Sequence, residues 1–272
     1  MTPLHEKKLF LLDMDGTLYL GDQLFAGTLP FLEHLKKTGA RPIYLTNNSS
    51  KGAESYVEKL HRLGIASVPE DFFTSVDAAI EYLAPCRNQK IYLFGTRSFF
   101  HQMQQSGFRV TDRLEDDIQI LLCGFDTELT FQKLEDACIL LGRGVRFVAT
   151  NPDWVCPTEY GYVPDCGSVC EMLFRATGRR PEVIGKPQPD MALLAIAKAG
   201  MTPEDAVLIG DRLYTDIACG AAAGIDTILV LSGESTMQTL RESDVKPTYL
   251  MQDIRQVLTC LETEVIPHEA QL

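Results

Sequence analysis

Two aspartates one residue apart stand in the segment Asp13-Met14-Asp15-Gly16-Thr17, directly after the apolar run Leu9 to Leu12. A run of that length and composition reads as a fully buried strand. In an open α/β sheet, ligands collect outside the carboxyl ends of the strands, so both carboxylates are expected in a site. Alternate residues of an extended chain share a side, Gly16 lets the backbone turn sharply away, and Thr17 is expected to tie that turn through its hydroxyl. Taken alone, the segment is also what a polar Asp-Gly turn looks like. Two carboxylates so close repel each other and call for a cation.

Three further polar segments each follow an apolar run. Thr46-Asn47-Asn48-Ser49-Ser50 follows Ile43 to Leu45 and offers a succession of hydroxyl and amide donors suited to phosphate oxygens, more than a helix cap at Ser50 requires. Gly185-Lys186-Pro187 follows Val183-Ile184 and supplies one ammonium. Gly210-Asp211-Arg212-Leu213-Tyr214-Thr215-Asp216 follows Val207 to Ile209 and adds two carboxylates, of which Asp216 is equally suited to capping a helix. Gathered at one sheet edge, four carboxylates, a lysine and these donors make a phosphoryl-transfer site around a hard divalent cation. Oxygen ligands with no histidine or cysteine among them favour Mg²⁺ over Zn²⁺.

The elements that must position these residues alternate along almost the whole chain, as βα units around a parallel sheet do. Leu29, Leu32 and Leu35 predict one face of a helix closed by Lys36, Lys37 and Gly39. Tyr56, Leu60 and Leu63, then Val76, Ile80 and Leu83, predict two more. The alternation restarts near Lys90 with strands at Ile91 to Phe94, Ile118 to Leu122 and Phe147 to Ala149, and helices at Phe99 to Gln105 and Phe131 to Leu141. Residues 150–168 read as irregular, with a helix from Val169 to Ala176 after them. Strand Val183-Ile184, helix Asp190 to Ala199, strand Val207 to Ile209, an alanine-rich helix ending at Gly224 and strand Ile228 to Leu231 follow. The fold class is α/β.

The chain has 272 residues, 45% of them hydrophobic, and carries 37 acidic and 25 basic side chains for a formal charge of −12. That length suits about two domains. The acidic balance leaves no basic face for a nucleic acid polymer or an anionic membrane, and any phosphate must be held by local charges. Asp13 cuts the only candidate leader run short, and no run approaches a membrane span. Eight scattered cysteines without a CxxC pair fit reduced thiols and a cytoplasmic protein. Cys166 and Cys170 lie one helical turn apart, but a metal site there would want more soft ligands.

The four segments, in this order after successive strands, resemble the four motifs of the haloacid dehalogenase (HAD) superfamily of aspartate-nucleophile phosphatases. The wide α/β stretch between Thr46 and Lys186 is similar to the large cap of the NagD-like, p-nitrophenylphosphatase-like branch. The resemblance implies a Rossmann-like core from residues 1–83 and 181–272 with a parallel sheet, and an inserted α/β cap from 84–180. It makes Asp13 the nucleophile and Asp15 the acid and base. Thr46 and Asn47 would hold the phosphoryl oxygens with Asn48 nearby, and Lys186 would offset charge. Mg²⁺ would be bound by Asp13, the backbone carbonyl of Asp15, and Asp211, with Asp216 in support.

Specificity is expected in the cap, where Trp154, Tyr160 and the residue before Pro157, Cys156, are placed to meet an organic leaving group or else serve as ordinary core. Segment 163–168 departs from the branch's Pro-Gly-small-Gly-Ser pattern and leaves the substrate open among sugar phosphates, nucleoside monophosphates, phosphoglycolate-like acids and p-nitrophenyl phosphate. The alternatives are phosphotransfer between hydroxyls, as in mutases, and a receiver-like signalling module; the second carboxylate Asp15 favours turnover over a long-lived signal. Relatives with this cap often pair through it, so a homodimer is a further expectation.

Overall fold

The computed structural model describes residues 2–158 and 161–265. Tyr160 lies outside the described residues. The chain divides into two compact units, one built from residues up to Thr46, Ala53–Phe73 and Lys186 onward, the other from Asn47–Gly52 and Thr74–Gly185.

The first unit is built on a six-stranded sheet in the order Tyr249–Met251, Asp226–Val230, Ala206–Gly210, Leu9–Leu12, Arg41–Thr46, Phe72–Thr74. The first five of these run parallel. Leu9–Leu12 is buried at every residue, which is why it reads as an unbroken apolar run rather than an alternation. Leu9 pairs with Ala206 on one side and Arg41 on the other, so the chain leaves the central strand in one direction and returns on its other flank. This reversal is the topological switch point, where open α/β sheets bind their ligands.

Helix Thr28–Thr38 covers this sheet and ends at Gly39, whose φ of 77° is the left-handed cap that a side chain would resist. Its buried face is Thr28, Phe31 and Leu35, with Leu32 half-buried against the core; of the leucine stripe expected from the sequence only Leu29 departs, at 45% exposed. Phe31 takes the inward position and meets Phe10 edge-to-face at 5.9 Å, an arrangement worth roughly 0.5–1.5 kcal/mol beyond burial.

The second unit has a five-stranded parallel sheet in the order Glu182–Val183, Arg146–Ala149, Ile118–Cys123, Lys90–Phe94, Arg109–Thr111. Helices Ser75–Tyr82, Arg97–Gln105 and Phe131–Gly142 start at threonine N-caps, where Thr74, Thr96 and Thr130 accept hydrogen bonds from backbone N–H groups three residues on.

The segment expected to be irregular is in part ordered: Val155–Thr158 and Gly161–Pro164 form an antiparallel hairpin. The next helix begins at Cys166, capped by Asp165, three residues before the expected Val169. The alanine-rich stretch forms the expected helix, Ala218–Ala222, but it is short and is entered through a wide π-type turn, Leu213–Ile217. Such a turn bends the chain without the apolar spacing that announces a helix.

Candidate active site

Each acidic segment leaves the carboxyl end of a first-unit strand. Asp13 follows Leu9–Leu12 and continues its ladder, with its N–H donating to the carbonyl of Ile209. The turn after it is held by backbone bonds, from the N–H of Thr17 and of Leu18 to the carbonyl of Met14 and from that of Gly16 to Tyr19. The Thr17 hydroxyl does not tie this turn: Oγ1 is buried without a hydrogen-bond partner. Gly16 adopts φ 88°, and a Cβ there would stand 2.5 Å from Asp211 Oδ2. Glycine is thus required both for the turn and for the approach of the second acidic segment.

Lys186 reaches this group from a different direction than the sequence suggests. The strand before it, Glu182–Val183, pairs with Arg146–Ala149 in the second unit's sheet, so only three of the four segments follow strands of the first sheet. A two-residue strand carries no periodicity that would tell which sheet it joins. The Lys186 ammonium, almost completely buried, spans Asp13 Oδ1 at 2.7 Å and Asp216 Oδ1 at 2.6 Å. Burial alone would lower its pKa, but the two carboxylates outweigh it and hold the lysine charged well above the ordinary lysine range.

Oxygens of Asp13, Asp211 and Asp216 all lie within 4.8 Å of one another. Burial, reinforced by the charges of Asp13 and Asp216, pushes the Asp211 carboxyl up to about 8. Asp216 rises to about 6, through burial and Asp13 and against the pull of Lys186. Asp211 Oδ2 accepts from the Glu234 N–H at 2.6 Å, while Oδ1 is buried with no partner. Three hard carboxylates and an orphaned, inward-facing oxygen make a donor set that fits a hard divalent cation, which would relieve both the repulsion and the unmet acceptor.

Asp15 stands apart from this trio. Its half-exposed side chain pairs with Lys59 Nζ at 3.7 Å. Partial desolvation is the largest influence on it and raises its pKa; Lys59 opposes and the Asp13 charge adds to the rise. A carboxyl held toward its protonated form is suited to giving up a proton. The Thr46 hydroxyl ends its strand 3.5 Å from that of Tyr56. Asn47 and Asn48 belong to the second unit. There the Asn47 amide donates to Asp153 at 3.0 Å, and Asn48 Oδ1 accepts from the backbone and hydroxyl of Ser50. Cys156 is half-buried on the hairpin opposite Val163, and Trp154 just before it is 60% exposed.

Several residues that shape the site were not singled out from the sequence. The loop after Asp226–Val230 clamps Asp211: Glu234 supplies the N–H, and a Cβ on Gly233 would fall 2.0 Å from Asp211 Oδ2. Ser232 Oγ donates to the Gly16 carbonyl at 2.7 Å. Arg212 pairs with Glu234 at 2.9 Å; burial pulls its pKa down, but Asp13, Glu234 and Asp211 together outweigh it and raise it. The available signal was position, since Ser232-Gly233-Glu234-Ser235 follows the strand next to that of Asp211.

A family profile described as haloacid dehalogenase-like hydrolase matches residues 10–109, and a HAD-hydrolase-like profile matches residues 183–257. An acid sugar phosphatase of Staphylococcus haemolyticus is 32% identical over 254 residues, covering 93% of this chain and 96% of that protein. The chain belongs to the haloacid dehalogenase superfamily.

Among solved HAD structures, 4-nitrophenylphosphatase from Thermotoga maritima superposes with a TM-score of 0.90 at 37% identity, over 96% of this chain and 100% of that one. The glycerol phosphate phosphatase of Mycobacterium tuberculosis in complex with magnesium superposes with a TM-score of 0.87 at 31% identity, over 93% of this chain and 78% of that one. This chain is therefore a HAD-type phosphatase of the NagD-like, nitrophenylphosphatase-like branch. Within that family, the cluster on Asp13, Lys186, Asp211 and Asp216 is the candidate active site.

Proposed function

We propose that the enzyme hydrolyses small organic phosphate monoesters through a phosphoaspartate on Asp13. The observation that carries this reading is the unequal exposure of the trio: the Asp13 side chain is 19% exposed, whereas Asp216 is 1% and Asp211 2%. Asp13 is the member that a substrate can reach. Its neighbours are shaped to hold charge rather than to react.

In this mechanism an Asp13 carboxylate oxygen attacks phosphorus in line as the bond to the leaving oxygen breaks, and the Asp15 carboxyl gives that oxygen its proton. Asp15, now ionised, takes a proton from water as the water oxygen attacks phosphorus; the Asp13–phosphorus bond breaks and inorganic phosphate departs. Lys186 offsets the charge brought together when a carboxylate meets a phosphate dianion. Thr46 and Asn47, with Asn48 beside them, are assigned to the phosphoryl oxygens. Asp13, the Asp15 carbonyl and Asp211, supported by Asp216, would hold Mg²⁺, whose bound charge stabilises the transferring phosphoryl group.

The likeness to an acid sugar phosphatase supports a sugar phosphate as substrate, with glycerol phosphate and p-nitrophenyl phosphate as further candidates. We assign the recognition of the leaving group to the inserted domain, residues 84–180, and in it to Trp154 and Cys156. The test is a panel of phosphate esters assayed with Mg²⁺ and with chelator, together with mass spectrometry of rapidly quenched enzyme. Activity is expected only with the metal, and the added phosphate on the peptide bearing Asp13. Full turnover in chelator, or a phosphate mapped to another residue, overturns the mechanism.

A further inference from the structure

The second unit brings three thiols together. Cys123 ends strand Ile118–Cys123, and Cys166 and Cys170 occupy successive turns at the start of helix Cys166–Thr177. The Cys166 sulfur lies 3.9 Å from that of Cys123 and 3.9 Å from that of Cys170, and all three are buried within 4.8 Å of one another. The i,i+4 spacing on the helix supplies two sulfurs on one face, and the strand end supplies the soft third ligand that the sequence pair lacked.

We propose that Cys123, Cys166 and Cys170 form a binding site for one soft d¹⁰ cation, Zn²⁺ or Cu⁺, within the second unit. A point equidistant from three sulfurs so spaced lies about 2.2–2.5 Å from each, bracketing the roughly 2.3 Å of a zinc–thiolate bond. The ligand softness excludes Mg²⁺, which the first unit's oxygen donors suit, and selects thiophilic ions. Cys170 also borders a cavity of about 200 Å³, together with Asn151, Trp154, Gly167, Arg180 and Val183. Binding releases the thiol protons to solvent and leaves oxidation states unchanged. Among the described residues no other group of three soft ligands converges. The bound ion ties the helix that follows the hairpin to the central part of the sheet.

The probe is Cd²⁺, added under anaerobic, reducing conditions in excess Mg²⁺ so that the carboxylates are already occupied. The expected result is a sulfur-to-cadmium charge-transfer band that saturates at one ion per chain, with three sulfur neighbours in the cadmium X-ray absorption spectrum. Cys170→Ala is expected to weaken this binding by more than about 100-fold, beyond what loss of a supporting group around a metal costs. Zn²⁺ and Cu⁺ are then used in turn to displace cadmium, and the ion that does so at the lower concentration names the natural occupant. Absence of the band at stoichiometric cadmium, fewer than three sulfurs, an undiminished band in Cys170→Ala, or displacement by neither ion overturns the proposal. The absorption measurement is made on the unsubstituted chain, so the test stands even where the variant folds poorly.

Discussion

Each unit sets a lysine against buried carboxylates, and the two arrangements differ in how far they are closed. In the second unit, Lys133 Nζ donates to Asp126 Oδ2, the Gly95 carbonyl and the Glu128 carbonyl, while Asp126 Oδ1 accepts from the Glu128 N–H. One ammonium meets one carboxylate, and both oxygens are matched. In the first unit, Lys186 faces Asp13 and Asp216 while Asp211 keeps an unmatched buried oxygen. A closed pair fixes a loop and has nothing left to offer. A cluster with surplus negative charge is held together at a cost, and that surplus is what a metal and a phosphoryl group can use.

The strongest test of that contrast is Asp13→Asn, which keeps the shape but removes the nucleophile. Loss of kcat by roughly 10⁴–10⁶-fold is expected, on the scale of removing a nucleophile elsewhere, with the thermal transition retained. A folded variant with ordinary kcat on p-nitrophenyl phosphate would deny the open cluster its role.

Next come the two lysines. Lys186→Ala is expected to lower kcat/KM by about 10²–10³-fold and by a similar factor on every substrate, because all share the phosphoryl group. Lys133→Met is expected instead to cost about 3–5 kcal/mol in urea unfolding, since Asp126 is left buried and unpaired, with kcat/KM of the folded enzyme preserved. Equal catalytic losses in the two variants would erase the distinction between closed and open clusters.

Smaller and uneven effects are expected in the second unit's loop. Trp154→Ala and Cys156→Ala should shift kcat/KM by about 1–3 kcal/mol, differently for a small, a sugar and a nucleotide phosphate. Proportional losses on all three would remove substrate reading from this loop.

An effect on stability alone, confined to higher pH, sharpens the picture of the second unit, where Asp165 is buried at the N-cap of helix Cys166–Thr177. Burial raises its pKa to about 7, with the Asp153 charge adding and the hydrogen bond from the Cys166 N–H opposing. Its unfolded value is about 3.9, so between about pH 4 and pH 7 the native state binds more protons than the unfolded one, and stability falls as pH rises. Asp165→Asn keeps an N-cap and removes the charge. In metal-free protein it should flatten that fall, gaining on the order of 1–3 kcal/mol relative to wild type at pH 8 and little at pH 4. Parallel stability curves for the two proteins from pH 4 to pH 8 would contradict this.

What the sequence determined by itself was whatever depends on near neighbours. The buried run Leu9 to Leu12, the Gly39 stop and the alternation of strands and helices are local signals, and they suffice for the α/β class. The four polar segments were legible because each is contiguous and follows its own apolar run. Tertiary structure alone decided what rests on distant pairing. Phe31 rather than Leu29 faces inward because Phe10 is there to meet it. Glu182–Val183 joins the second sheet through Arg146–Ala149, so Lys186 arrives without a first-sheet strand beneath it. Ser232 reaches Gly16 across 216 positions, Lys59 meets Asp15 from a separate helix, and Cys123 completes a pair 43 positions away. No window of sequence contains both members of such contacts, and each exists only because burying the apolar faces of many elements at once brings its ends together.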